Sequence, residues 1–208
     1  MIRLEPLKEV SKGLLYVTPA IAVIVTILLG TVMFAVLGKD PVQAISIIFL
    51  EPLTNSFAIS EMIVKATPLI LIGLGLSFGF RAGIWNIGAE GQFHMGTVFV
   101  TWGSLHLNPD TWGWSLLLVM GLLAIAGGGL WGSIPGVLKA RFGVNEIITS
   151  LLLNYVAVAW VDQHLFGSWR DPASNNFPIT REFADVARLP SFGNTSVHFG
   201  LILALVVA

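Results

Sequence analysis

Glu90, His94, Thr97, Thr101 and Ser104 follow one another at steps of four, three, four and three residues. At 100° per residue this spacing gathers them within about 80° of arc on one helix face. The face would carry a carboxylate, an imidazole and three hydroxyls, which suit hydrogen bonding to a neutral, hydroxyl-rich solute. The same groups would equally serve an amino acid. Glu90 and His94, one turn apart, also have the types needed to share a proton. Glu146, Ser150 and Asn154 step by four and drift only about 80° over two turns, so they form a second stripe. Asn86 stands just ahead of the first stripe, in "GIWNIG". Two readings remain open for these residues. They line a polar pathway, or they make interhelical hydrogen bonds and caps: Glu90 suits the positive end of a helix, and Asn145 with Glu146 suits a helix start.

No catalytic constellation accompanies them. The chain lacks G-x-x-x-x-G-K-[ST], H-E-x-x-H and G-x-S-x-G. It has no cysteine, which excludes disulfides, zinc thiolates and Cys nucleophiles. No metal or other cofactor is expected, and no basic cluster suggests nucleic acid. An intramembrane enzyme built on Glu90 and His94 would need a nucleophile or second base that the sequence does not offer. His106, His164 and His198 fall at segment ends or in a loop and read as interfacial rather than as ligands.

The elements that must position the stripes are membrane helices. The chain has 208 residues, 55% hydrophobic and 11% charged, where soluble domains carry about 25% charged residues. Its fold class is all-α and polytopic, with five spans near 14–37, 59–80, 88–106, 112–137 and 147–166 and the start of a sixth near 199. The runs are too long for barrel strands and lack their alternation. The first run, uncharged from Leu14 to Leu37, reads as a retained helix rather than a signal peptide. Residues 1–208 form a single transmembrane domain in this reading. "GLILALVVA" at 200–208 is too short to cross a bilayer, so the chain is expected to continue in a longer protein.

Arg3, Lys8, Lys12, Arg81, Lys139 and Arg141 favour a cytoplasmic N-terminus, with Lys39, Arg170, Arg181 and Arg188 outside. The polar, turn-rich segment 164–199 is then an extracytoplasmic loop, and 38–57 an interfacial helix on that side. Gly75 and Gly79, and separately Gly128, Gly132 and Gly136, fall on small-xxx-small spacing and are expected to pack helices. In the 88–106 helix, Gln92, Gly96, Phe99 and Gly103 oppose the polar stripe and suit close packing.

"FRAGIWNIGAEGQFHMG" (80–96) and "LKARFGVNEIITSLLLNYVA" (138–157) together resemble signatures of bacterial ABC-importer permeases. That family serves branched-chain amino acids, ribose-type sugars and nucleosides. "NIGAEGQ" with "GVNEIITSLLLNY" is most similar to its nucleoside, or simple-sugar, subgroup. The resemblance covers about 59–180. It implies a bacterial inner-membrane subunit that forms an alternating-access pathway with a second permease subunit. It also implies a cytoplasmic ABC ATPase and an extracytoplasmic substrate-binding protein as partners. The family's cytoplasmic coupling segment, Arg-Ala-x-Gly followed by paired alanines, is not found in these residues. The competing transport reading is an ion-coupled secondary transporter using Glu90 or Glu146.

Overall fold

The computed structural model describes residues 12–208, except the side chain of Lys12. Arg3 and Lys8, which support the orientation reading, lie outside the described residues. The chain divides at Met62/Ile63 into two compact units.

The first unit contains helices α1 (Lys12–Val36), α2 (Pro41–Phe49) and α3 (Glu51–Thr54). No residue of α1 from Gly13 onward is buried, which is how an apolar helix looks when its solvent is lipid rather than protein. Pro19 inside α1 is tolerated in that setting. Gly38, at φ +69°, closes α1, while Lys39 N–H donates to Phe34 O at 3.0 Å. Asp40 then caps α2: its side chain accepts from Val42 N at 2.9 Å and Gln43 N at 3.2 Å, with Pro41 at the first helical position. The short apolar stretch of 38–57 is therefore helical.

Helix α4 (Ser56–Arg81) carries the chain into the second unit. There follow α5 (Ala89–His106), α6 (Pro109–Trp112), α7 (Ser115–Phe142), α8 (Glu146–Phe166), a 3₁₀ turn at Asp185–Ala187 and α9 (Gly200–Val207). No strand occurs among the described residues; two isolated bridges, Arg170 with Thr180 and Ser191 with His198, are the extended pairings. Helix α7 runs past the expected end at 137 and takes in Lys139 and Arg141. It stops at Gly143, whose φ of +65° is open to glycine, in the expected turn before Asn145.

Helix α5 packs against α7 and α8 because glycines remove the side chains that would hold the backbones apart. A Cβ on Gly127 would sit 2.6 Å from Met95 O; one on Gly96 would sit 3.2 Å from Ala124 O. On the α8 side, a Cβ on Gly88 would meet the Ser150 Cβ at 2.7 Å, and one on Gly91 the Asn154 Oδ1 at 2.7 Å. Met95, Val98 and Ala157 form the core between these helices, flanked by Phe99, Trp131, Val161 and Trp169. A second core joins α7 to the loop: Leu116 and Met120 bury Ala187, with Phe183 against them.

Among the described residues, three helices are long and apolar enough to cross a membrane: Gly13–Val36, Ser56–Arg81 and Ser115–Phe142. Helices α5 and α8 occupy the other two expected spans. Glu90, Gln92 and His94 in α5, and Glu146, Asn154, Asp162 and Gln163 in α8, make both too polar to be identified as spanning by composition.

Candidate functional site

The site is built around the non-helical run between α4 and α5. Gly83, at φ +71°, turns the chain away from α4, and Ile84 N–H reaches back to Gly79 O at 2.9 Å. Non-helical backbone follows to Gly88. Asn86 holds it locally: its Oδ1 accepts from Gly88 N at 2.8 Å, and its Nδ2 donates to Gln92 Oε1 at 3.2 Å. Helix α8 holds it from the side. Ile87 N–H donates to Ser150 Oγ at 3.2 Å, Asn154 Nδ2 donates to Ile87 O at 3.0 Å, and Gly91 N–H donates to Asn154 Oδ1 at 2.6 Å. The N–H and C=O of Ile87 and the N–H groups of Gly88 and Gly91 are thus satisfied by protein side chains.

Glu146, Ser150 and Asn154 do share a face of α8, directed at this segment. Asn145 caps the helix, with its Oδ1 accepting from Ile147 N at 2.9 Å and Ile148 N at 3.3 Å. Glu146 turns back to form an ion pair with Lys139 of α7. Ser150 is buried and also donates to Ile147 O at 3.2 Å.

The α5 stripe lies on the other side of that helix. Gly91, Met95, Gly96, Val98 and Gly103 are buried, whereas Glu90 is exposed and His94, Thr97, Thr101 and Ser104 are half-buried. The Glu90 side chain is 70% exposed and its Oε1 stands 3.9 Å from His94 Nε2, too far for a hydrogen bond. Thr97 is satisfied within the helix, donating to His94 O at 2.7 Å. The structure therefore brings together Asn86, Glu146, Ser150 and Asn154, and separates them from the stripe led by Glu90.

Between α5, α7 and α8 lies a cavity of about 440 Å³ lined by Asn86, Gln92, Gly136, Lys139, Glu146 and Ser150, among others. A smaller recess of about 290 Å³ lies between α4 and α5, lined by Gly75 and again by Asn86 and Gln92. The amide pair of Asn86 and Gln92 is thus the wall shared by both. Gln92 was not a site candidate by sequence, because its place opposite the stripe marked it for packing. Its type was the available signal: an amide on a face of glycines and apolar residues.

The glycine ladders divide. A Cβ on Gly128 would lie 3.1 Å from Gln92 O, and one on Gly132 would lie 3.0 Å from the Gln92 side chain, so both are close approaches of α7 to α5. A Cβ on Gly79 would meet Ile84 O at 3.4 Å, ordinary contact within the turn, and Gly75 and Gly136 have nothing within 4 Å among the described residues.

Comparison with known proteins gives this arrangement a context. The family model described as "branched-chain amino acid transport system / permease component" matches residues 58–208. A glucose ABC transporter permease protein of Haloferax volcanii is 37% identical over 98% of this chain and 56% of its own length. A guanosine ABC transporter permease protein of Bacillus subtilis is 33% identical over 91% of this chain and 55% of its own. A nucleoside ABC transporter permease protein of Lactococcus lactis is 33% identical over 66% and 38%. No solved structure matches. The chain spans about half the length of the curated relatives it matches. The family match covers both signature stretches, the non-helical segment and every residue of the two stripes: this chain belongs to the ABC-transporter permease family to which that model and these relatives belong.

Proposed function

We propose that this chain is a membrane-spanning permease subunit of an ATP-driven ABC importer for a neutral, hydroxyl-rich solute, a nucleoside or related sugar. Residues 1–208 act as one transmembrane domain with five spans (α1, α4, α5, α7 and α8) and a sixth beginning at α9. The N-terminus and the Lys139 end face the cytoplasm, and 164–199 lies outside the plasma membrane. A second permease subunit, a cytoplasmic ATPase pair and an extracytoplasmic binding protein complete the machine. The named solutes of the relatives, glucose and guanosine, support the solute class.

The observation that carries the reading is the polar, exposed to half-buried face of α5. Glu90, His94, Thr97, Thr101 and Ser104 point away from α7 and α8. In a bilayer such a face must meet protein or water, because lipid contact would be costly. It is the wall a solute meets as the subunits alternate between two states. The cavity beside Asn86 and Gln92, on the opposite side of α5, opens near Lys139 and Glu146.

The test is uptake of labelled guanosine and glucose by proteoliposomes holding the complete transporter. Uptake of at least one that needs ATP and the ATPase subunit is expected. Uptake that follows an ion gradient and ignores ATP would overturn the proposal in favour of a secondary transporter.

A further inference from the structure

At the end of α5 and α8 remote from Lys139, two adjoining cavities stand apart from both stripes. One, of about 410 Å³, is lined by Phe99, Trp102, Trp160, His164 and Trp169 with apolar neighbours. The other, of about 340 Å³, is lined by His106, Ser168, Trp169, Arg170 and Arg181 with Leu105. Trp169 is a wall of both. Each volume falls in the range of small-molecule sites, roughly 300–1,000 Å³. The first offers aromatic faces and the second offers hydrogen-bonding groups.

The rings are ordered against one another. His164 lies parallel to Trp160 within 5°, at 6.3 Å between centroids, and 4.3 Å from Trp169. His106 stacks on Trp102 at 5.1 Å. Nδ1 of His106 is 2.8 Å from Trp102 O, and Nδ1 of His164 is 2.8 Å from Trp160 O. A carbonyl oxygen can only accept, so each Nδ1 carries a proton, and Nε2 of the neutral ring is an acceptor. The loop frames the polar cavity: Arg170 pairs with Thr180 in an antiparallel bridge, Asp171 N–H donates to Ile179 O at 2.9 Å, and the Arg170 guanidinium donates to the Asn176 side chain. That hairpin brings Arg181 beside Arg170. Neither lining includes a carboxylate among the described residues, so nothing here selects a cation.

We propose that the two cavities form one nucleoside subsite, with the base against the Trp102, Trp160 and Trp169 rings and the ribose hydroxyls toward His106, Ser168, Arg170 and Arg181. The proposal rests on the nucleoside-import reading above and places a receiving site at the outer mouth. A planar base uses aromatic faces without regard to sequence of hydrogen-bond groups. Sugar hydroxyls use imidazole acceptors and guanidinium donors.

The test is equilibrium binding of labelled guanosine to the complete membrane complex in nanodiscs, without the binding protein, whose own affinity would otherwise enter. Trp102→Leu keeps apolar bulk and removes the aromatic face, whereas Trp102→Phe keeps a face. The Leu variant is expected to raise Kd about tenfold, and the Phe variant to recover most of it. An unchanged Kd in the Leu variant overturns the subsite. So does an equal loss in both variants, the behaviour of a membrane-interface anchor. Arg181→Gln, on the exposed loop, is the second variant should Trp102→Leu fail to assemble; a Kd equal to wild type overturns the proposal there too. ATP-driven uptake by the same preparation with its binding protein separates the two readings. Uptake of glucose with no guanosine binding removes the subsite and leaves the importer, while no ATP-driven uptake of either solute removes both.

Discussion

Asn154 uses both halves of its amide on one stretch of backbone, donating to Ile87 O and accepting from Gly91 N. Glu90, three residues from Ile87, has no such engagement and stands 70% exposed at the side chain. These contrasting environments separate two jobs. Asn154→Ala strips the buried Gly91 N–H and the more exposed Ile87 C=O of their partners, a loss of about 1–2 kcal/mol in a membrane bundle. Membrane abundance and thermal stability are expected to fall with it, and uptake to fall in proportion. Glu90→Ala is expected to lower uptake at least several-fold more than abundance; equal loss of both, read by immunoblot beside uptake, would make Glu90 a structural cap. The spacing of Glu90, His94, Thr97, Thr101 and Ser104 was enough to place them together on the side of α5 away from its buried face. The partners of Ser150 and Asn154 were not legible, because hydroxyl and amide hydrogen bonds look alike in sequence whether they meet a solute or a backbone 63 residues away.

The helices meet where side chains are missing. Gly127 and Gly136 lie on the same helix, yet a Cβ on the first would collide with Met95 O at 2.6 Å, and one on the second would meet nothing within 4 Å. Gly127→Ala therefore forces α5 and α7 apart and is expected to cost about 1–3 kcal/mol, as overpacking does. Gly136→Ala is expected to leave stability unchanged or slightly raised, since alanine is the better helix former. Melting temperatures of the two purified variants in one detergent check the contrast. A four-residue glycine spacing marks a smooth stripe but not the neighbour that uses it. Gly128 and Gly132 of the α7 ladder approach α5, Gly136 opens onto a cavity, and Gly127, outside the ladder, makes the tightest approach. Helix positions were legible because apolar runs and glycine stops are local signals. The extension of α7 to Phe142 was less so, since Lys139 and Arg141 suggested water where the structure continues to helix.

As a molecule, the second unit has two unlike ends. One carries the Lys139–Glu146 pair and the amide-walled cavity; the other carries the aromatic cavities and the loop. The proposed orientation puts the first inside and the second outside. The absence of cysteine from the sequence makes this directly measurable with single substitutions. Ser196→Cys in the exposed loop is expected to react with a membrane-impermeant maleimide in intact cells or spheroplasts. Ala82→Cys, exposed between α4 and α5, is expected to react only after the membrane is opened. The opposite pattern would invert the topology. The polarity that keeps α5 and α8 from reading as spans is also what joins them. Ile87 and Gly91 are tethered to α8, and the turn at Gly83 is tied back to α4 by Gly83 N–H to Phe80 O and Ile84 N–H to Gly79 O. The first turn of α5 is therefore a junction: side chains of α8 hold its backbone from one flank and the end of α4 holds the turn before it, so a shift of either helix would be felt at Glu90.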